Sequence, residues 1–139
     1  MTFIPEQEYQ NILKTMPVFC ADYLIFAEKK YLLIKRNQEP MKDAYWVVGG
    51  RLRFKETMAE LAERVMMQEI GQSFPEYKII GYSNYLFPDV PNARATHTPT
   101  LLHIVPVKKM FEPKIDNKHT DYIWTDKLPE EMLKQTTWL

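Results

Sequence analysis

Apolar and polar residues recur with a helical period in one central stretch of the chain. Positions 57–70 contain no glycine or proline, and their apolar residues fall at three- and four-residue steps, as on an amphipathic helix. Gly71 follows, at the place where a left-handed helix cap favours glycine. The pattern therefore predicts a helix over 57–70 that ends at Gly71. The apolar positions are Met58, Leu61, Ala62, Val65 and Met66.

Shorter apolar segments predict strands on both sides of this helix. Segments 18–27 and 31–35 flank a charged turn, which is typical of a β-hairpin. Gly81, within a later segment, indicates a bulge or a close approach of another part of the chain. The other predicted strands are 45–48, 77–86, 101–107 and 121–124, and the other predicted helices are 5–16 and 129–134, the last with Thr125 or Asp126 as its cap.

The order of these elements predicts an α+β fold, a mixed sheet flanked by helices. A chain of 139 residues is long enough to bury a core of its own, so we expect one domain over 1–139. Segments 87–100 and 110–120 are predicted to be long loops, which in a compact domain are usually functional or mobile. Pro106, inside a predicted strand, indicates a sheet edge or a bulge.

Charge and composition exclude several classes of function. The 18 basic and 18 acidic residues balance, so no overall field attracts nucleic acid or a membrane surface. No segment approaches the roughly 18 apolar residues of a membrane-spanning helix, and the first residues lack the pattern of a signal peptide. The single cysteine, Cys20, rules out an intrachain disulfide and is consistent with a reducing compartment. We therefore expect a cytoplasmic protein that binds neither nucleic acid nor membrane.

Candidate chemistry lies just before the central helix. The short strand 45–48 is followed by a double-glycine turn, Gly49 and Gly50, then by a basic loop and the acid-bearing helix. Glycines leave backbone amides and carbonyls bare, and the arginines and glutamates beside them can hold a diphosphate with its metal ion. This stretch therefore favours a site for a metal-bound diphosphate.

The spacing of five residues here resembles the Nudix box, the signature loop and helix of the Nudix hydrolases. Gly50 is followed after five residues by Glu56, after seven more by Arg64, after four by Glu69 and after one by Gly71. The resemblance implies the α/β/α sandwich of that family, together with hydrolysis of a diphosphate that is linked to another group.

The box departs from its usual form in a way that is similar to one branch, the GDP-mannose mannosyl hydrolases. Val65 and Gln68 stand where the family places acids, so that Glu69 alone remains of the usual cluster. The similarity to this branch extends roughly from Tyr9 to Trp124. It implies a homodimeric, Mg²⁺-dependent enzyme, with Mn²⁺ as an alternative cation, that acts on GDP-mannose or GDP-glucose.

A single acid among the cluster positions 65, 68 and 69 of the helix favours a reaction different from that of most Nudix hydrolases. Several carboxylates can hold the two or more cations that assist attack of water on phosphorus, whereas one carboxylate can hold one Mg²⁺. One cation on the diphosphate stabilises a departing nucleoside diphosphate, which favours attack of water on the sugar carbon. We therefore expect GDP and free sugar as products.

The resemblance also implies roles for individual residues. His119, two residues before Asp121, would be the general base. The branch has Gln as a metal ligand immediately before this His, but here Lys118 stands there and Asn117 is the nearest replacement. The expected catalytic residues are His119 and Arg51; the expected substrate-binding residues are Tyr9 (base), Asp22 (sugar), Arg36 and Arg51 (diphosphate); the expected metal ligands are Gly49, Glu69 and Asn117.

Plainer structural interpretations of these residues stay open. Arg64 could form a salt bridge with Glu60 one turn earlier, while Glu56 is expected to be structural. His103, within an apolar segment, is expected in the core. Four residues of the expected site could have purely structural positions, namely packing for Tyr9, a solvent-facing position for Asp22, a solvated strand end for Arg36 and an exposed loop position for His119.

Two other functions stay open as well. A conventional pyrophosphohydrolase would cleave at phosphorus and would recruit acids from the loops, namely Asp89, Asp116 and Asp121. A catalytically silent Nudix-like binding module would account for the lost acids and for Lys118, because a protonated lysine cannot bind a cation.

Overall fold

The computed structural model describes residues 4–38, 41–87 and 95–139. Within these ranges the chain forms one mixed sheet with helices, so the predicted α+β class is confirmed. The helices are α1 (Glu6–Thr15), α2 (Met58–Ile70) and α3 (Glu130–Gln135). The strands are β1 (Cys20–Ala27), β2 (Lys30–Arg36), β3 (Tyr45–Trp46), β4 (Val48–Arg51), β5 (Lys78–Phe87), β6 (Thr96–Pro106), β7 (His119–Thr125) and β8 (Thr136–Trp138).

Strand β1 lies at the centre of the sheet, whose longest path runs β3-β2-β1-β6-β5-β8. On one side β1 pairs in parallel with β6. On the other side it pairs antiparallel, first with β4 and then with β2, which in turn pairs with β7. The sheet therefore contains both kinds of pairing, and the start of β1 lies between β4 and β6.

Apolar side chains on the two faces of the sheet build two clusters. Successive residues of β1 alternate between them, with Tyr23 in one cluster and Leu24 in the other. The first cluster packs Val65 and other residues of α2 against the sheet, and the second packs Met132 of α3 beside Trp46. Helices thus cover both faces, which is the expected α/β/α arrangement.

Helix α2 ends at Gly71 as predicted, and it begins at Met58, one residue after the predicted start, because Thr57 is its N-cap. Thr57 Oγ1 accepts a hydrogen bond from Glu60 N at 3.1 Å, and Glu60 Oε1 accepts one from Thr57 N at 3.0 Å, which is a capping box. Gly71 closes the other end with a φ of 79°, and its N–H donates to the Met67 carbonyl. Because an N-cap of this kind typically contributes ~1 kcal/mol, it helps to fix where α2 begins relative to β4.

Two predicted strand boundaries are wrong where the pairing partner is distant in sequence. Gly49 and Gly50 belong to β4 and not to a turn, because they pair with the start of β1. Strand β6 begins at Thr96 and not at 101, because β5 extends beside it as far as Phe87. Pro99 is tolerated within β6 since the pairing with β1 begins one residue later, so one side of the strand is free of β1 at that point.

The predictions for strand 121–124 and for the cap of the last helix also need correction. His119 begins β7 opposite Arg36 of β2, so it lies in a strand and not in an exposed loop. Helix α3 begins after Pro129 without a side-chain cap, so the prediction that Thr125 or Asp126 caps it is wrong. The hydroxyl of Thr125 accepts instead from the Lys127 N–H at 3.2 Å.

The bulge predicted at Gly81 is confirmed, because the register of β5 against β6 shifts there. The close approach is present too, since a Cβ on Gly81 would lie 2.6 Å from the Thr137 carbonyl oxygen of β8. Pro106 ends β6 with β1 paired on one side, whereas the pairing with β5 reaches only to Ile104, so Pro106 lies at a local edge of the sheet, as predicted. Residues 88–94, which include Asp89, lie outside the described residues. No helix in the described ranges is long and apolar enough to cross a membrane.

Candidate active site

A cavity of about 950 Å³ opens where α1, the start of β1, β4 and the first half of β6 meet. It collects residues from most elements of the chain, and Lys118 lies at its wall. Arg51 and Asn117 are not among the described residues that line it. The predicted site residues that do line it are Tyr9, Asp22, Arg36, Gly49, Glu69 and His119.

The double glycine lets β4 approach its neighbours on both sides. A Cβ on Gly49 would lie 1.9 Å from Asp22 Oδ1, and a Cβ on Gly50 would lie 2.8 Å from Val65 Cγ2. The Gly49 N–H donates to Glu69 Oε1 at 3.1 Å, so the bare strand is bonded directly to the acid of α2. Val65, at a position where the Nudix box has an acid, is buried and packs against Gly50, so it serves the core and not the cavity.

Asp22 is a buried carboxyl in the wall of the cavity. Its residue is 6% exposed, and its Oδ2 has no hydrogen-bond partner among the described residues. Burial raises the pKa of Asp22 to about 7, although the Trp46 side-chain hydrogen bond and the charge of Arg36 oppose the shift. The solvent-facing position considered for Asp22 is therefore wrong, and its free oxygen is available to a polar group in the cavity.

Glu69 is the acid that α2 contributes to the cavity. Burial of the carboxyl raises the pKa of Glu69 to about 8, against the Gly49 hydrogen bond and the Arg36 charge, and the charges of Asp116 and Asp22 add to the shift. Burial makes this carboxyl costly to ionise, and a cation beside it would stabilise the ionised form. Glu69 therefore fits the role of ligand to a divalent ion, which prefers oxygen donors.

A second acid, Asp116, lies within reach of Glu69. The potential ligand atoms of Glu69, Asp116 and His119 all lie within 4.8 Å of one another. Asp116 Oδ1 is 2.5 Å from His119 Nδ1, and His119 is buried. Asn117, predicted as a metal ligand, is an exposed residue whose carbonyl accepts from Asn37 Nδ2 at 3.5 Å. The sequence predicted Asp116 only as one of several loop acids, because nothing local shows that its loop folds back toward Glu69.

Arg64 ties the basic loop to α2. Its Nε and Nη2 donate to the two carboxylate oxygens of Glu56 at 2.6 and 2.9 Å, and Nη2 also donates to the Arg51 carbonyl at 2.8 Å. The Arg64 guanidinium lowers the pKa of Glu56. The alternative pairing of Arg64 with Glu60 is wrong, because Arg64 pairs with Glu56 and Glu60 is used in the capping box. Glu56 is structural, as expected.

Arg51 and Tyr9 lie against each other beside the cavity. The Arg51 guanidinium carbon is 5.2 Å from the centroid of the Tyr9 ring, a cation–π contact. Arg51 Nη1 donates weakly to the Leu52 carbonyl at 3.4 Å, so most of the guanidinium remains available to other acceptors. Burial raises the pKa of Tyr9, which keeps its hydroxyl protonated. Tyr9 of α1 thus both packs against Arg51 and lines the cavity.

His103 is a core residue, as its sequence context predicts. It is 4% exposed, its Nδ1 lies 3.2 Å from the Asp22 carbonyl, and its ring stacks on that of Tyr23 with centroids 4.9 Å apart. Burial lowers the pKa of His103, which keeps the ring neutral. The backbone that carries Asp22 is therefore held from the side opposite the cavity.

The sequence comparisons give a partial likeness. No family model matches the chain. A curated relative, the low-salt glycan biosynthesis protein Agl8 of Haloferax volcanii, is 33% identical over 70 residues. The match covers 50% of this chain and 45% of that protein, so it spans about half the length of the relative.

The solved structures give a likeness over most of the chain. The MutT NUDIX hydrolase of Burkholderia pseudomallei matches with a TM-score of 0.67 and 20% identity, covering 83% of this chain and 88% of that one. The NUDIX domain of Shewanella oneidensis NrtR, solved with ADP ribose, matches with a TM-score of 0.64 and 14% identity, covering 95% and 88%. The chain therefore has the fold of the Nudix hydrolases.

Proposed function

We propose that the chain is a Mg²⁺-dependent Nudix hydrolase that converts GDP-mannose or GDP-glucose to GDP and free sugar. The observation that carries this proposal is that α2 contributes one glutamate to the cavity. Of its three glutamates, Glu60 caps the helix, Glu63 is exposed, and Glu69 alone lines the cavity. Gln68 accepts from Arg64 at 3.2 Å. One helical acid suits one cation on the diphosphate.

Glu69 would hold the cation, with Gly49 and Asn117 as the predicted further ligands; Mn²⁺ is the alternative to Mg²⁺. When bound, such an ion neutralises charge on the diphosphate. Arg36 and Lys118, which line the same cavity as Glu69, supply positive charge for the phosphate oxygens. Asp22, whose Oδ2 has no partner in the part of the chain that the structure describes, accepts from a sugar hydroxyl or donates to it.

His119 takes the proton from water, and the water oxygen forms a bond to the anomeric carbon of the sugar. The bond between that carbon and the diphosphate oxygen breaks, and its electron pair leaves with GDP. Arg51 binds the leaving diphosphate. Tyr9, which contacts Arg51 and lines the cavity, packs against the nucleobase in this proposal. Both products then depart without a covalent enzyme intermediate.

Two relatives support a nucleotide-linked sugar as the substrate class. The NrtR domain binds ADP ribose with the same fold, and Agl8 is named for glycan biosynthesis. We further propose that the chain forms a homodimer and works in the cytoplasm, consistent with its single cysteine.

The test is to identify the products from GDP-mannose and GDP-glucose with Mg²⁺ or Mn²⁺, by mass spectrometry. The proposal expects GDP and the hexose. GMP and hexose phosphate would instead support a conventional pyrophosphohydrolase, which is favoured by one observation, the second carboxylate of Asp116 near Glu69. If no nucleotide sugar is turned over, the remaining alternative is a catalytically silent binding module. The amine of Lys118 at the cavity favours that alternative.

A further inference from the structure

We infer that Asp116 is a positioning residue that holds His119 in the tautomer needed for a general base, an inference that rests on the proposed function. Asp116 Oδ1 lies 2.5 Å from His119 Nδ1, and the two side chains are 22% and 6% exposed. A carboxylate oxygen accepts hydrogen bonds, so this contact, as a hydrogen bond, requires the ring proton on Nδ1. Nε2 is then the nitrogen that takes a proton from water.

Three backbone hydrogen bonds hold the segment that carries Asp116, one within the segment and two to other elements. The His119 N–H donates to the Asp116 carbonyl at 3.2 Å. The Lys118 carbonyl accepts from the loop after β2 at 2.9 Å, and the Lys114 N–H donates to the last carbonyl of α2 at 3.0 Å. Because α2 also carries Glu69, one helix supports both the acid for the cation and the segment that orients the base.

The same geometry offers Asp116 a second role, as a metal ligand together with Glu69 and His119. The two roles exclude each other at His119 Nδ1, because a protonated nitrogen that donates to a carboxylate cannot bind a cation. Mg²⁺ prefers oxygen ligands and is poorly matched to imidazole. The short Asp116–His119 contact therefore favours the positioning role.

The first experiment reads the tautomer without any substrate. A long-range ¹H–¹⁵N correlation spectrum of the whole chain in EDTA, with the His119 signals assigned by their loss in His119→Gln, should show the proton on Nδ1. In Asp116→Asn the Nε2–H form should appear. A His119 that already carries its proton on Nε2 in the wild type, or whose tautomer is unchanged in Asp116→Asn, overturns the inference even if no nucleotide sugar is hydrolysed.

The second experiment is a double-mutant cycle on GDP-mannose with a parallel Mn²⁺ titration followed by electron paramagnetic resonance. Asp116→Asn should lower kcat ~10²-fold while KM and the Kd for Mn²⁺ change by no more than about twofold. In the His119→Gln background the same substitution should lower kcat no further, because Asp116 acts through His119. Asp126→Asn, an exposed acid just after β7, is the matched control and should behave as wild type.

The outcomes separate the two roles of Asp116 and the two proposals. If Asp116→Asn raises the Kd for Mn²⁺ ~10-fold or more and the double variant has a lower kcat than His119→Gln alone, Asp116 is a metal ligand and the inference is overturned. An unchanged kcat in Asp116→Asn overturns it as well. A wild-type chain that releases no GDP contradicts the proposed function, and the tautomer spectrum then decides the Asp116–His119 contact alone.

Discussion

Asp22→Asn should remove a pH-dependent loss of stability that the buried carboxyl imposes on the folded chain. The pKa of Asp22 is raised from 3.8 to about 7 by burial, and its Oδ2 has no partner among the described residues. Because the folded state holds this proton more tightly than the unfolded state, the stability that the group contributes is fully present below pH 3.8 and is lost as the pH rises toward 7.

The magnitude follows from the two pKa values. The difference between 3.8 and about 7, at 1.36 kcal/mol for each pH unit, sets an upper limit of about 4 kcal/mol on the loss of unfolding free energy between acid and pH 8. Asn keeps the shape of the side chain and an oxygen that can accept from Trp46, but it does not ionise. The variant should therefore lose less stability than the wild type over that pH range.

The assay is urea unfolding followed by circular dichroism at pH 4.5, 6 and 8 in EDTA, which excludes cations from both proteins. The quantity of interest is the difference in unfolding free energy between variant and wild type at each pH. The contributions of the other titrating groups largely cancel in this difference. Asp121→Asn is the control, because Asp121 is exposed and the Tyr45 hydroxyl lowers its pKa, which reverses the sign. If the difference in unfolding free energy between Asp22→Asn and the wild type stays constant from pH 4.5 to 8, the reasoning is refuted.

The remaining predictions concern the site and its support. His119→Gln should lower kcat ~10²–10⁴-fold while the affinity for GDP-mannose, measured by calorimetry, stays within about twofold; unimpaired turnover would remove His119 from the role of base. Glu69→Gln should raise the Mg²⁺ concentration for half-maximal activity ~10-fold or more, and an identical Mg²⁺ titration would exclude Glu69 as a ligand. Gly50→Ala should cost ~1–3 kcal/mol of unfolding free energy, because its Cβ would lie 2.8 Å from Val65 Cγ2. Val65→Ala in the same chain should recover part of that loss, and strict additivity of the two substitutions would contradict the predicted clash.

The sequence predicts those parts of the fold that depend on residues close in the chain. Helix α2 is set by its apolar period, by Thr57 and by Gly71, and the hairpin of β1 and β2 is set by its charged turn. The predictions are wrong where the structure of a segment depends on pairing with residues that are distant in sequence. Gly49 is in a strand because β1 lies beside it, and β8 forms because Gly81 leaves room for it at the edge of β5.

The candidate site follows the same rule. Residue types and the Nudix-like spacing indicate Asp22, Glu69 and His119, and the structure brings all three to one cavity, although their roles stay predictions. Asp116 could not be assigned beside His119 from sequence, because its position depends on the docking of its loop on the end of α2. The burial of Asp22 depends on the strands packed around it, so the local pattern left its exposure open.

The central claim, that bond breaking occurs at the sugar carbon and not at phosphorus, is tested most directly by hydrolysis of GDP-mannose in H₂¹⁸O with Mg²⁺. Mass spectrometry of the products locates the oxygen that came from water. We expect the label in free mannose and none in GDP. Label in a phosphate group, whether of GMP, GDP or a sugar phosphate, would contradict the account.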